Sequence, residues 1–493
     1  MTRFDGRGAA EHIEAVWERD VLPTLFEYLR IPDVSPAFDP DWQDRGHIAD
    51  AAELLASWAA GRGIPGASVD VQQLDGRTPL LVVDVPASPG CVTRDTVLLY
   101  GHLDKQPAMD GWRDGLDPWT PVVEGDRLYG RGGADDGYSL FAALTAIETV
   151  EAAGADHGRC LVLIEASEES GSADLPAHLG ILGERLGRPG LVIGLDSSAP
   201  SDDRLWLTTS LRGLLQADLR VEILRDGQHS GLAGGAVPSS FRIARRLLER
   251  IEDAETGRLL LPELWAGVPD EREQQIADAA AELGVDAVGR FPYVDGARPA
   301  RADVAGQLRA VTWEPALEVI AAGGLPALGT GGNVLRPSTT LTLSVRLPPP
   351  VDSAVAVDAL EQALVADPPY DARVTFEVRE AADGWDAPAT APWLQAALDA
   401  ASRAAFGRSY GAIGLGGSIP FMAMLGERFP EAQFVVTGVL GPDSNAHGPN
   451  EHLHLPTARR VTEAIARVLV AHAATERAGS ADRTGSGPAG ALR

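Results

Sequence analysis

The sequence predicts an α/β protein: a mostly parallel sheet with helices on both faces, interrupted by a smaller α+β domain. Three observations carry that prediction. Short apolar runs ("LLVVDV", "TVLLY", "CLVLIEA", "LVIGLD") recur up to about residue 205, separated by helical or turn-rich stretches. Strands that are apolar throughout and alternate with helices imply a parallel sheet covered on both sides. Near residue 208 the strands begin to alternate apolar and polar residues, and after about 390 the first texture returns.

Taken in order, residues 11–30 and 46–61 place apolar residues at helical spacing among charges and read as surface helices. "SLFAALTAIETVEAAG" (139–154) reads as a helix opened by a glycine-rich loop. In the second texture, "LLQADLRVEIL", "STTLTLSVRLP" (338–348) and "ARVTFEVRE" (372–380) read as half-exposed strands. "SSFRIARRLLERIED" (239–253) reads as an amphipathic helix, with a polar helical insertion at about 260–310. The last part holds a helix at 392–406, the strand region "QFVVTGVLG" (433–441) and a helix from 456 to about 475. The expected organisation is one domain in two parts, 1–207 and 391–477, with a second domain inserted at 208–390. The tail 478–493 is rich in Gly, Ser and Ala, lacks apolar periodicity, and is expected to be disordered.

Composition narrows the function. At 493 residues the chain exceeds one ordinary core. Its 70 acids against 42 Lys and Arg, with no basic run, argue against a nucleic-acid partner. No segment approaches 18 apolar residues in a row and the N-terminus carries acids, so neither a membrane span nor export is expected, and the cytoplasm is the expected location. Cys91 and Cys160 form no CxxC pattern, which fits a reducing compartment and excludes a thiolate metal cage. Lys105 is the only lysine. Either the chain simply prefers arginine, or this position needs a compact ammonium.

Potential metal ligands sit where apolar strands end. "TVLLYGHLD" delivers His102 and Asp104, "CLVLIEASEESGS" delivers Glu168 and Glu169, "LVIGLD" delivers Asp196, and "FVVTGVLGPDSNAHGPNE" delivers His447. "LYGRGGADDG" adds Asp135 and Asp136. Ligands of open α/β sheets gather beyond the carboxyl ends of the strands, so these groups are placed to converge. Imidazole and carboxylate donors without cysteine suit Zn²⁺, with Mn²⁺ or Co²⁺ as alternatives. Two histidines and at least three carboxylates outnumber the ligands of one tetrahedral catalytic zinc, whereas two metals sharing a carboxylate and a water use five such ligands without surplus. Singly the motifs are ordinary: His-x-Asp is a common hydrogen-bonding pair, "EE" a common solvated face, and the "GRGG" loop lacks the ending of a phosphate loop.

Taken together and in order, "YGHLDKQP", "LYGRGGADD", "EASEESGS", "VIGLD", "GQHSGLAGG", "SVRLPP", "GGSIP" and "AHGPNE" resemble the di-zinc metallopeptidases. That family includes carnosinase-like dipeptidases, carboxypeptidase G, aminoacylase and succinyl-diaminopimelate desuccinylase. The resemblance covers about 15–475 and implies a zinc-peptidase-like catalytic domain with an inserted lid that also dimerises. It implies that Asp135 bridges two divalent ions, that His102 and Asp196 complete one site, and that Glu169 and His447 complete the other. Glu168 is the implied general base, Asp104 the carboxylate that holds the His102 ring, and the Asp135–Asp136 peptide is implied to be cis. Adjacent glutamates on an extended chain point apart, which agrees with giving them different roles.

Substrate contacts are expected from Arg346, which grips a carboxylate in the family, and from His229, which there acts across the dimer on the scissile carbonyl. Without the resemblance Arg346 reads equally as an exposed strand arginine in a surface ion pair. Ser418, on a glycine-rich turn, and Asn333 are further candidates, and Lys105 is expected at the rim of the metal site. The chain departs from the family in "DDGY", where many members have Asp-Asp-Lys-Gly, and in placing Lys105 where many have valine. The expected activity is hydrolysis of a dipeptide or small peptide, by length and insertion nearest the carnosinase type. An N-acyl-amino-acid deacylase on the same machinery is the alternative, and a metal-free binding relative a remote one.

Overall fold

Apolar runs buried on both sides form the centre of the structure, a computed structural model describing residues 6–284, 291, 293–417 and 420–475. In chain order its main strands are β1 (Ser68–Gln72), β2 (Leu80–Val85), β3 (Thr96–His102), β4 (Arg159–Glu165), β5 (Pro189–Gly194) and β6 (Trp206–Leu211). They continue as β7 (Gly213–Glu222), β8 (Ala316–Gly323), β9 (Ser338–Leu347), β10 (Arg373–Ala382), β11 (Gly411–Leu415) and β12 (Gln433–Val436). The central sheet has the order β1-β2-β4-β3-β5-β12. Strands β4, β3, β5 and β12 are parallel, and β2 and β1 add an antiparallel edge.

Alternation along these strands explains their doubly buried texture. Val97, Leu99, Val162, Ile164, Leu191 and Ile193 pack beneath helices Ser139–Ala152 and Leu455–Ala473. The intervening Leu98, Tyr100, Leu161, Leu163 and Val192 pack beneath Leu175–Leu182 and Pro420–Arg428 on the other face. With side chains pointing to opposite faces at each step, both series must be apolar.

The second texture forms an antiparallel sheet of order β8-β9-β7-β10. Leu215, Ala217, Leu219 and Val221 on β7, with Leu341, Leu343 and Val345 on β9, pack against Ser240–Leu248 and Ser353–Val365. Strand β6 does not belong to this sheet, because it pairs in parallel with β11. The crossings between the sheets are tight: a Cβ on Gly213 would stand 2.7 Å from the Ala382 carbonyl oxygen, and one on Gly384 2.7 Å from that of Leu211. Only glycine lets the two segments pass this closely.

The helical insertion behaves differently from a lid element. Helices Asp270–Leu283 and Val304–Thr312 set Ile276, Ala279 and Leu308 against Trp206 of β6 and Ile413 of β11, so their apolar stripe braces the crossing. Among the described residues no helix is long and apolar enough to cross a membrane. The tail expected at 478–493 and the candidate Ser418 lie outside the described residues.

Candidate active site

Parallel strands deliver their last residues to one edge of the sheet. His102 ends β3, Glu168 and Glu169 lie on a 3₁₀ turn (Glu168–Ser170) just after β4, and Asp196 lies just beyond β5. Asp135 comes from the loop before helix Ser139–Ala152, and its peptide bond to Asp136 is cis. His447 arrives on a late loop with φ at 62°, a left-handed conformation that costs a non-glycine residue about 1–2 kcal/mol.

Asp135 stands at the centre. Its Oδ1 is 3.3 Å from His102 Nε2, and its Oδ2 is 3.1 Å from His447 Nε2. Asp196 Oδ2 lies 3.8 Å from the same His102 nitrogen, while Glu169 Oε2 lies 3.4 Å from His447 Nε2. The ligand atoms of His102, Asp135 and Glu169 fall within 4.8 Å of one another, as do those of His102, Glu168 and Asp196. Glu168 is therefore as near to His102 and Asp196 as a ligand would be. The two glutamates occupy a tight turn rather than extended chain; both carboxylates come within 4.8 Å of His102, and Glu169 alone also reaches His447.

These groups fit divalent cations. His102 Nε2 and Glu169 Oε1 are buried without a hydrogen-bond partner, so each presents a lone pair to the cleft. Burial first, then neighbouring negative charge, pushes Glu168 and Glu169 well above the usual carboxylate range and Asp196 up to about 6. Asp135 moves the opposite way, because His102 and His447 outweigh its burial and keep it below that range. Burial also opposes charge on His102, but Asp104 and Asp135 beside it raise its pKa. Among the described residues no Lys or Arg forms an ion pair with Asp104, Asp135, Asp136, Glu168, Glu169 or Asp196, which leaves their charge for bound cations to balance.

Asp104 acts differently from expectation. His102 Nδ1 hydrogen-bonds its backbone carbonyl oxygen at 3.0 Å, whereas the nearer carboxylate oxygen is 3.6 Å away, too far for a hydrogen bond. The carboxylate instead accepts the backbone N–H groups of Glu168 (3.0 Å) and Glu169 (3.1 Å), fixing the turn that carries them. Gln106 Nε2 donates to Glu169 Oε2 at 2.6 Å. The sequence reading also overlooked Glu451, whose buried carboxylate accepts from the amides of Gly132, Ala134 and Asp135 and pairs with Arg131 at 2.5 Å. Arg131 in turn donates to the Gly448 carbonyl beside His447, so this pair locks together the loops that carry Asp135 and His447.

Lys105 is a correction. It does not line the rim: its side chain is fully buried, 2.6 Å from Asp33, and donates to the carbonyls of Tyr28 (2.9 Å) and Ile31 (2.8 Å). Burial pushes Asp33 up to about 7 against the pull of this ammonium. A compact head with three donors bonds both carbonyls and sits against the Asp33 carboxylate from one point, which a planar guanidinium cannot do from the same place. Gly132 makes room for the stem, since a Cβ there would stand 2.5 Å from Lys105 Cγ.

The remaining candidates separate. Arg346 is half-buried on β9, facing away from the apolar core, and its Nη1 is buried without a partner. His229 and Asn333 are exposed and lie together at the lid tip, where His229 pairs with Val334 and the Ser230 N–H donates to the Asn333 carbonyl at 2.8 Å. Lys105→Met should lower stability by about 3–5 kcal/mol, the effect of stranding a buried charge. Denaturant unfolding checks this, and an unchanged midpoint would show that the pair pins nothing.

Comparison with known proteins agrees with this geometry. The cysteinylglycine-S-conjugate dipeptidase of Corynebacterium striatum is 28% identical over 444 residues, covering 86% of this chain and 91% of that one. Among solved structures, the di-peptidase Dug1p of Saccharomyces cerevisiae superposes with a TM-score of 0.74 at 19% identity, over 96% of this chain and 100% of that one. Human carnosine dipeptidase 1 gives 0.72 at 21%, over 95% and 98%. The model of peptidase family M20/M25/M40 matches residues 98–471, and the chain belongs to that family of metallopeptidases.

Proposed function

We propose that the chain is a dipeptidase working with two divalent ions, zinc by its donor set, on a peptide bond next to a free carboxylate. The observation that carries this reading is Asp135, whose two oxygens address different histidines at 3.3 and 3.1 Å. Asp135, His102 and Asp196 would hold one ion, and Asp135, Glu169 and His447 the other. Such a pair, when bound, polarises the scissile carbonyl and makes water nucleophilic near neutral pH.

The chain's own residues do the rest. Glu168, held above the usual carboxylate range by burial and by Asp196, takes a proton from the attacking water and returns it to the leaving amine. Asp104 positions that glutamate through its backbone N–H. Arg346 offers its unpartnered guanidinium edge to the substrate carboxylate in a forked pair, aided by Ser418 and Asn333. His229, exposed on the lid, serves the cleft of a partner subunit and supports the scissile carbonyl oxygen. The lid suits a homodimer: edge strand β8 exposes Val319 and Ile320, a surface that soluble proteins cover. Both cysteines are free thiols, in keeping with a cytoplasmic enzyme.

Metal content of protein purified without chelator, paired with a hydrolysis panel, tests the reading. About two ions per chain and turnover of dipeptides, S-substituted cysteinylglycine among them, are expected. Turnover of N-acetyl or N-succinyl amino acids alone would favour the deacylase, and failure to bind metal on reconstitution would remove the hydrolase. Glu168→Gln should retain both ions and lose about 10²–10⁴-fold in kcat; loss of one ion instead would make Glu168 a ligand. His229→Ala and Glu168→Gln subunits, each inactive, should regain activity when mixed, and subunit exchange without recovery would confine His229 to its own chain.

A further inference from the structure

The family match begins at residue 98, yet a segment well before it reaches the active-site turn. Residues 33–37 run beside the end of β3. The Lys105 N–H donates to the Asp33 carbonyl (3.1 Å), the Ser35 N–H donates to the Lys105 carbonyl (2.9 Å), and Val34 and Lys105 form an isolated parallel bridge. The buried Lys105–Asp33 ion pair lies under this bridge. Beyond it the Ser35 and Ser170 hydroxyls hydrogen-bond at 2.5 Å, and the Ala37 N–H donates to Ser170 Oγ at 2.9 Å. Ser170 closes the same turn that carries Glu168 and Glu169.

We propose that Ser35 is a positioning residue: through Ser170 it sets the turn that presents Glu168 and Glu169 to the metal centre. This rests on the reading that both glutamates work there. The turn is gripped on two sides by residues inside the family match, Asp104 at its amides and Gln106 at the Glu169 carboxylate. Its third support comes from the N-terminal arm, which reaches Ser170 through the Ser35 hydroxyl and the Ala37 N–H, beside the turn's own backbone bonds from the Ser170 and Ser172 N–H groups to the Ser167 carbonyl and from the Gly171 N–H to that of Glu168, and the bond from the Ser172 hydroxyl to Glu165. Ser35 is fully buried, so its hydroxyl has no water to turn to, and the bond to Ser170 is how it is satisfied. An arm anchored by a buried ion pair cannot drift, which gives the serine contact a fixed origin.

The test uses Ser35→Ala, Ser170→Ala, the double variant and Ser170→Thr in the full chain. Calorimetric titration of Zn²⁺ into metal-free protein, and kcat and KM on whichever substrate the wild type turns over, are the readouts. Each alanine variant should lose about 10–100-fold in zinc affinity or kcat, the usual consequence of removing a partner that orients a ligand. KM should stay within about twofold, since neither serine is expected to touch substrate. The double variant should be no worse than Ser170→Ala, because that change already removes the bond from Ser35 together with the one from the Ala37 N–H, and Ser170→Thr should restore most of the loss. Variants that fold and keep zinc affinity and kcat, whether or not the melting temperature falls, would overturn the proposal, as would losses that multiply in the double variant. Zinc affinity reports on the serines even if no dipeptide proves to be a substrate, so failure of the activity reading is distinguishable from failure of this one.

Discussion

Uncompensated negative charge in a buried cleft is the constraint on which the structure turns. Carboxylates from several segments share a small volume with two imidazoles, and burial makes each of them costly to ionise. The cations that stand near are not spent on this cleft. Arg131 goes to Glu451 and Lys105 to Asp33, each behind a ligand-bearing loop. The arrangement keeps fixed positive charge out of the place where mobile positive charge is to bind, while using it to hold the walls.

That division explains why the supporting pairs are buried. A surface ion pair adds little and tolerates movement, whereas a buried pair is strict about geometry because neither partner has water as an alternative. Glu451 gathers three amides of the loop that carries Asp135, and Asp104 gathers those of the two glutamates. In both places a carboxylate outside the bridging position fixes backbone rather than side chain. Ligand spacing is thereby set by main-chain positions, which vary less than rotamers.

Much of the fold was legible because its causes are local. Apolar runs such as "TVLLY" and "LVIGLD" mark strands buried on both faces, and their ends mark where His102 and Asp196 must emerge. Lys105 lies elsewhere than expected although the signal is in the extended residues just beyond β3. The period-two alternation that puts Asp104 on the side of His102 sends the next residue to the other side, toward Asp33. Glu451 lies within the "AHGPNE" motif with no role visible in the sequence, since its partners at 131–135 are distant and no local pattern links them. The insertion at 260–310 was read as part of the lid from its place in the chain, whereas its apolar stripe meets Trp206 and Ile413 at the crossing.

The order in which the site is assembled follows from the late position of His447. His102, Asp135, Glu168, Glu169 and Asp196 all precede the lid, while His447 and the loop-locking Glu451 follow it. A chain emerging from the ribosome holds most of its donors long before it has the residues that complete the second half-site. On the proposed two-ion reading, an ion captured before that last stretch arrives faces only part of its cage, so the lid's place in the gene makes firm metal loading wait for the residues that follow it.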